Sequence, residues 1–518
     1  MNNEAIRKSN IIYWSSGIVS ICGIIFEVLF GALGSYILGD GVKQYTLTIS
    51  LFLTGMGIGA SLSERVTKNL ILSFVWIEFS VGLIGGFSSF FMFGITAIAP
   101  PGTDAFFLYF ITVLIGALTG FELPILIRKA NEIGVTLNRS TARVLFSDYA
   151  GGLIGGLLFV FLLRPQFGLV KSAFVIGCIN VMVALVVLWL FRKEINHFAK
   201  HTVIGVLLLL SLVIGLLFGE EAAFNFEQKL YKDPIMHMEE SNYQKIILTR
   251  DGGEEDVRLY LNGSLQFSST DQHRYHEVLV HPAMSFVEQP RNVLILGGGD
   301  GIAAKEVLKY EQVEQITLVD LDPAVVDLSN TNPQILELNK GSLEHEKVKI
   351  VHEDAFEFLE ESDGFFDVII VDLPDPNDES LNKLYTWEFY SLLRNHLIPG
   401  GAAMIQATSP VFATEVYWTI NETVRSTGLI TENFHVDVPS FGNWGFVMAS
   451  RGEINIEGLS IEVPTQFLTT ELLPGLTEFG KDEDAQIQDK NGNDISLRPN
   501  TLIDPHLIGI YEDSWKNY

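Results

Sequence analysis

Two groups of residues in this 518-residue chain have the types and spacing to do chemistry. The first is Val293-Leu294-Ile295-Leu296-Gly297-Gly298-Gly299-Asp300-Gly301, followed by Ile316-Thr317-Leu318-Val319-Asp320. A continuous aliphatic run reads as a buried parallel strand. Glycines directly after it let the backbone approach a ligand where a side chain would block it. An acid about 20 residues on, at the tip of the next strand, is placed to accept hydrogen bonds from ribose hydroxyls. The pair predicts a nucleoside-containing ligand at the open end of an α/β sheet, held by Gly297, Gly299 and Asp320. The second group is Asp372-Leu373-Pro374-Asp375-Pro376, at the end of the apolar run Phe366-Asp367-Val368-Ile369-Ile370-Val371. Ordinary turns use Asp and Pro. Two acids three apart, stiffened by prolines at the tip of a strand beside the nucleotide strand, favour chemistry over a plain turn. Asp354 follows a third strand, Val348–Val351. It is placed to accept from an adenine amino group, to cap the helix Ala355–Glu361, or to do both.

The elements that must position these residues are legible in outline. Tyr243–Leu248 and Val257–Leu261 read as strands with a turn at Asp251-Gly252-Gly253, and Asn262-Gly263 marks a tight hairpin before Leu265. A small β unit therefore precedes the nucleotide strand. Tyr275-His276-Glu277 opens a helix-like stretch to Met284, and nothing near His276 makes it a metal ligand; a plain surface position is the alternative. Pro323 stands in the first turn of another helix. Leu384 to Leu397 reads as a loop and helix closing over the acids, Ala402–Gln406 as a fifth strand and Phe446–Ala449 as a late one. The tail after Arg451 is acidic, with apolar anchors at Ile508, Ile510, Tyr511 and Trp515; no activity is assigned to it. The expected division is a helical segment over 1–219, a linker and small β domain over 220–290, a Rossmann-like domain over 291–451 and an acidic extension over 452–518.

The formal net charge of −28 hides a split. Residues 1–219 hold 14 Lys and Arg against 10 Asp and Glu, a net of +4, whereas residues 220–518 hold 20 against 52, a net of −32. Such acidity disfavours nucleic acid and suits cationic ligands; a solubilising surface explains it equally well. The first part is built from apolar stretches long enough to span a bilayer: roughly 11–38, 45–62, 70–98, 105–127, 145–163, 170–191 and 202–218, a count of seven. The first is too long for a signal peptide and is read as an anchor. Cys22 and Cys178 both fall within these stretches, so neither a disulfide framework nor a metal site is expected. With alternating spans, eleven Lys and Arg fall at one end and Lys43, Arg164 and Lys171 at the other. The positive-inside rule then places the N-terminus in the cytoplasm and seven spans leave the acidic body outside. Chemistry on a cytosolic metabolite favours a cytoplasmic body, and one re-entrant span would reconcile the two. Glu27, Glu78, Glu122 and Asp148 lie within or near the stretches. They read as acids that pair with an Arg or a backbone donor inside a bundle or lie at an interface, or as a row binding an organic cation. The glycine-rich runs Gly55–Gly59, Gly151-Gly152 and Gly155-Gly156 read as close helix packing.

Tyr243-Gln244, Leu261-Asn262-Gly263-Ser264-Leu265-Gln266, Tyr275-His276-Glu277, Gly297-Gly298-Gly299-Asp300-Gly301 and Asp372-Leu373-Pro374-Asp375-Pro376 together resemble the spermidine synthase family of polyamine aminopropyltransferases. The resemblance runs from about Tyr243 to Arg451, and the spans in front make the whole chain look like the membrane-fused bacterial form. It implies the class I methyltransferase fold, a seven-stranded sheet with helices on both faces behind a small β domain. It implies decarboxylated S-adenosylmethionine as co-substrate and no prosthetic group or metal. By resemblance, Gln244, Asp320, Asp354 and Ala355 hold the adenosine part. Asp300 faces the aminopropyl amine or the acceptor amine, with Tyr275 and His276 nearby. Asp372 accepts the proton and Asp375 helps bind the diamine.

That chemistry asks for these residue types. An amine attacks the propyl carbon next to a sulfonium, and neutral methylthioadenosine leaves without needing an acid. A free alkylamine, like Lys, has a pKa of about 10.4, so it arrives protonated and cannot attack. One carboxylate must position the ammonium and help remove its proton, and a second can hold the distal cation and set the angle of attack. Lys and Arg are absent from Phe365 through Leu381. Three departures bear on the acceptor: Asp271-Gln272 where many members have Asp-Glu, Leu261-Asn262-Gly263 for Leu-Asp-Gly, and Pro439-Ser440-Phe441-Gly442-Asn443-Trp444 where a tyrosine is frequent. They leave the nucleoside half intact and put putrescine, the default acceptor, alongside related amines. Two alternatives stand beside aminopropyl transfer: a methyltransferase on the same fold, which the paired acids disfavour, and a polyamine transporter or sensor whose soluble domain only binds. A homo-oligomer is a further expected partner state.

Overall fold

The computed structural model describes residues 3–515, apart from 40, 101, 242, 254–255 and 488–494. It divides into two compact units, Met1–Lys232 and Asp233–Tyr518.

The first unit is all helix: α1 (Asn3–Leu38), α2 (Gly41–Leu62), α3 (Leu70–Ile98), α4 (Thr103–Glu132), α5 (Leu137–Leu158), α6 (Arg164–Leu190) and α7 (Phe198–Glu227). Among the described residues, six helical stretches are long and apolar enough to cross a membrane. One of them, Asn138–Leu190, is 53 residues long, about 80 Å at 1.5 Å per residue and far more than one bilayer needs. Non-helical Gly168 interrupts it. Side-chain pairs show that the chain reverses across this break. Lys8 and Lys129 both bridge to Glu194, and Arg128 reaches the carbonyls of Ser63 and Val66, so these residues share one end. Tyr36, Phe93, Phe226 and Glu227 meet at the other, through a Tyr36–Glu227 hydrogen bond and Tyr36–Phe93 and Phe90–Phe226 ring contacts. Seven helices therefore alternate in direction. The N-terminal part of α1 and the end of α7 lie at opposite ends of the unit, and the cations gather at the N-terminal one. The helix extends to Glu227, nine residues beyond the end of the apolar stretch at Phe218.

The glycine-rich runs mark close packing. A Cβ on Gly59 would fall 1.9 Å from the Ala117 carbonyl, and one on Gly120 would fall 2.2 Å from that of Met56. Glu78 and Glu122 are buried within electrostatic reach of one another and of Cys22. Neither carboxylate is ion-paired among the described residues, so the paired-with-Arg reading of these two acids does not apply.

The second unit opens with an antiparallel sheet in sequence order: β1 (Ile235–Glu240), β2 (Lys245–Arg250), β3 (Val257–Leu261) and β4 (Ser264–Ser268). The Asn262-Gly263 turn has φ of 49° and 83°, both positive as a two-residue hairpin turn requires. Next come α8 (Gln272–Phe286), β5 (Asn292–Gly297), α9 (Ile302–Val307), β6 (Gln315–Val319), α10 (Pro323–Thr331), α11 (Pro333–Asn339), β7 (Val348–Val351), α12 (Ala355–Glu361) and β8 (Phe366–Asp372). They are followed by α13 (Glu379–Asn382), α14 (Trp387–His396), β9 (Leu397–Gln406), α15 (Thr414–Ser426), β10 (Ile430–Val438), β11 (Gly442–Ser450) and, late in the extension, α16 (Leu507–Trp515).

The seven strands lie in the order β10-β11-β9-β8-β5-β6-β7. β7, β6, β5, β8 and β9 are parallel, and β11 is antiparallel to both neighbours. Along β5 the side chains alternate between two cores, Val293 and Ile295 in one and Leu294 and Leu296 in the other, as expected of a sheet covered on both faces. This is the expected Rossmann-like α/β sheet behind a small β domain. The chain leaves β5 for β6 on one side and returns to β8 on the other. The tips of β5 and β8 thus flank the crevice where open α/β sheets bind ligands.

Candidate active site

The register of the sheet builds the site. Gly297, last in β5, lies directly opposite Asp372, last in β8. Gly297 has φ of 83°, and a Cβ there would fall 2.0 Å from the Asp372 carbonyl oxygen. Only glycine lets the two strand ends meet so closely. Gly299 plays the same part on the other flank. Its N–H donates to Asp320 Oδ2 at 2.9 Å, and a Cβ on it would fall 2.6 Å from that oxygen.

Three acids, Asp300, Asp320 and Asp372, crowd the tips of β5, β6 and β8, and the charge on Asp300 acts on both of the others. Asp320 accepts from the N–H groups of Gly299 and Asp322, yet burial, with smaller pushes from Asp322 and Asp300, raises its pKa to about 6. Asp372 is raised to about 6 as well, first by burial and then by Asp300. His276 and a hydrogen bond from Tyr275 work in the opposite sense. Asp300 itself folds back to accept from the Ile302 N–H at 2.8 Å.

The helix α8 delivers the aromatic side of the site. The Tyr275 hydroxyl donates to Asp372 Oδ1 at 2.7 Å, and its ring packs on Phe446, Phe441 and His276. Burial, then the charges of Asp372 and Asp375, push the Tyr275 phenol well above its ordinary pKa. It therefore stays a neutral donor lying between the two acids' fields. His276 is buried, which corrects the surface alternative. Its Nδ1 lies 2.9 Å from the Gln272 carbonyl oxygen; a carbonyl can only accept, so Nδ1 carries the proton. Glu277 has a different task. Its carboxylate accepts from the N–H groups of Gln466, Phe467 and Leu468 at 2.6–2.9 Å, which fastens the C-terminal extension to α8.

Asp375 sits in a cage of donors: Gln406 Nε2 to Oδ1 at 3.1 Å, and Thr408 Oγ1 and the Tyr511 hydroxyl to Oδ2 at 3.0 Å each. Burial raises its pKa and these donors lower it. Thr408 is buried at φ of 59°. A β-branched residue in the left-handed region is strained, and such strain gathers at functional sites. Gln406 Nε2 also meets the Tyr385 hydroxyl and the Leu373 carbonyl, and its Oε1 accepts from Trp444. Trp444 belongs to the stretch that lacks the frequent tyrosine.

Gln244 lies at the same end through a partner that the sequence reading passed over. Its Nε2 donates to Asp322 Oδ2 at 3.0 Å, and Ser241 Oγ donates to the same oxygen at 2.6 Å. Asp322 also caps α10; Asp before Pro at a helix start was the available signal. Asp354 caps α12 through Oδ1, to the N–H groups of Phe356 and Glu357, while its Oδ2 pairs with Lys383 at 2.7 Å. Both oxygens are thus engaged by the protein. Ala355 is the buried first residue of that helix. The residues that sequence reasoning missed are Asp322, Lys383, Gln406, Thr408 and Tyr511. Among the described residues, no group of three or more His, Cys, Asp or Glu is placed to hold a metal.

This arrangement can hold a cationic nucleoside with Asp320 and the Gly297–Gly301 loop, and it can present a second cation to Asp372 and Asp375. Protonating either Asp320 or Asp372 removes charge that a cation needs. Both titrate near pH 6, so kcat/KM for a sulfonium nucleoside should fall below that pH with a slope approaching two protons. An Asp320→Asn variant should reduce the slope to one. A slope of one in the parent protein would contradict the assignment.

A family model described as the spermine/spermidine synthase domain matches residues 272–457. A polyamine aminopropyltransferase of Oceanobacillus iheyensis is 73% identical over 518 residues, 100% of both chains. Polyamine aminopropyltransferase 1 of Streptomyces coelicolor is 38% identical, covering 96% of this chain and 93% of its own. Among solved structures, a spermidine synthase in complex with the transition state analogue AdoDATO matches with a TM-score of 0.44 at 24% identity, over 48% of this chain and 85% of that one.

Proposed function

Because the chain belongs to the polyamine aminopropyltransferases, we propose that it moves the aminopropyl group of decarboxylated S-adenosylmethionine to putrescine or a related diamine, giving spermidine or its analogue and methylthioadenosine. The observation that carries the reading is the pairing of Gly297 with Asp372 in register, with Asp320 on the far side of the glycine loop. That register supports a site in which nucleoside and acceptor amine meet at adjacent strand tips.

In this reading the ribose hydroxyls bind Asp320, Gln244 with Asp322 closes the nucleoside end, and Asp354 and Ala355 flank the base. The propyl carbon next to the sulfonium faces Asp372. The acceptor ammonium binds Asp372, and a carboxylate raised to about 6 is a stronger base than an ordinary one while still ionised at pH 7. The ammonium first gives a proton to Asp372, and the freed nitrogen lone pair then forms the N–C bond as the C–S bond breaks and its electron pair returns to sulfur. Tyr275 donates to Asp372 and holds its carboxylate in place. His276, on the same helix, favours the charged form of Asp372. Asp300 and Asp375 hold the remaining ammonium groups. Asp375 anchors the far end of the diamine and so sets the angle of attack.

Mass spectrometry of products from the purified full-length protein, given decarboxylated S-adenosylmethionine and a panel of diamines, tests this. Methylthioadenosine with an aminopropylated amine is the expected result. Turnover of S-adenosylmethionine to S-adenosylhomocysteine would overturn it in favour of methyl transfer.

The seven alternating helices support a multi-pass membrane protein of the cell membrane. On that reading the N-terminus and the catalytic unit face opposite sides. A cytoplasmic catalytic unit then requires the cation-rich end to lie outside, against the positive-inside rule. Cysteines introduced singly near each terminus should show opposite accessibility to a membrane-impermeant thiol reagent in intact cells. Equal accessibility would contradict the odd number of crossings.

A further inference from the structure

The C-terminal extension carries no recognised motif, yet it is fastened to the rest of the catalytic unit at several places. Glu277 fastens it at Gln466–Leu468. Buried Asn500 fastens it again, donating to Asn382 Oδ1 and the Tyr385 carbonyl and accepting from the Trp387 N–H. Beyond that anchor α16 presents Leu507, Tyr511 and Trp515, spaced four apart on one face of a helix. Leu507 joins the core, the Trp515 ring packs 5.8 Å from that of Phe412, and the Tyr511 hydroxyl donates to Asp375 Oδ2 at 3.0 Å.

We propose that this extension completes the acceptor-amine half of the site, with Tyr511 as the positioning residue for Asp375. The proposal rests on the aminopropyl-transfer reading and adds the residue that sets amine affinity. A carboxylate offers about four lone-pair sites. Gln406, Thr408 and Tyr511 occupy three of them, so one is left, aimed in a single direction, for the distal ammonium. Without the tyrosine hydroxyl, Oδ2 keeps only Thr408, and the carboxylate is held less firmly toward the distal ammonium. Asp375 also loses one of the three donors that hold its pKa down against burial, so the proton it takes up as pH falls arrives at a higher pH.

The test is steady-state kinetics of the full-length Tyr511→Phe variant, which keeps the ring and its packing. KM for the diamine should rise about tenfold, the weight of one hydrogen bond to a charged group. KM for the nucleoside and kcat at saturating diamine should stay within about twofold, and the acid limb of kcat/KM for the diamine should move up in pH. A second variant, truncated after His506, removes α16 and leaves the Asn500 anchor in place. It should reproduce the rise in diamine KM and weaken the discrimination between diamines of different length. An active Tyr511→Phe protein with unchanged diamine KM and acid limb would overturn the proposal. So would a parallel loss of nucleoside affinity, which would mark the extension as a structural prop only. If the parent protein transferred no aminopropyl group to any diamine, the underlying activity would be wrong instead, and these outcomes keep the two failures apart.

Discussion

Asp372→Asn should lower turnover by about 10²- to 10⁴-fold, the usual contribution of a positioned general base, while nucleoside affinity changes far less. The reason is local. Asparagine keeps the shape of the side chain and can still accept from Tyr275, so the 2.7 Å contact survives. It loses the negative charge that draws the acceptor ammonium in and the basicity that takes its proton. Burial raises Asp372 to about 6, which places it between an ordinary carboxylate and an alkylamine. That gap is still several units, so only a small fraction of the bound amine has given up its proton at any moment, and attack draws on that fraction. Single-turnover measurements with preloaded nucleoside would isolate the step. A variant retaining full activity would remove Asp372 from the chemistry.

The second large effect is on stability. Glu277→Ala should destabilise the catalytic unit by about 3 kcal/mol, because the N–H groups of Gln466, Phe467 and Leu468 lose their shared acceptor. At about 2–4 °C per kcal/mol for units of this general size, Tm should drop by about 6–12 °C. Thermal unfolding of the full-length protein in detergent, followed by near-ultraviolet circular dichroism, would read it. Glu277→Gln keeps one acceptor oxygen and should recover part of the loss. The residue stands in a motif next to Tyr275 and His276, yet its weight lies in fastening the extension rather than in touching substrate. A Glu277→Ala protein with unchanged Tm would contradict this.

These two residues also show how far the sequence could be read. The strand tips of β5, β6 and β8 were legible because continuous aliphatic runs end in glycine or acid, and a parallel sheet forces such tips to one edge. The Asn262-Gly263 hairpin was legible because two positive φ angles in succession demand those residue types. The long apolar helices of the first unit were legible from their length, while their alternation in direction came with the side-chain pairs at their ends. The cage around Asp375 was not legible. Gln406 and Thr408 reach it from the end of β9 and the residues just beyond, and Tyr511 from 136 residues away, so no local spacing marks them. Thr408 is strained in a way that no propensity encodes. The partnership of Gln244 with Asp322 was hidden for the same reason, being a contact between the residue before β2 and the cap of α10, 78 residues on. Asp354 was readable as a cap and as a ligand acceptor; its pairing with Lys383 came only with the fold.

The central claim is that a sulfonium nucleoside and a diamine meet in one carboxylate-lined crevice between β5 and β8. A crystal structure of the protein with methylthioadenosine and putrescine bound together tests it most directly. The account predicts the ribose hydroxyls on Asp320, one putrescine nitrogen within hydrogen-bond distance of Asp372 and pointing at the thioether sulfur, and the other nitrogen on Asp375. Putrescine bound elsewhere, with Asp372 and Asp375 facing no ligand atom, would contradict it.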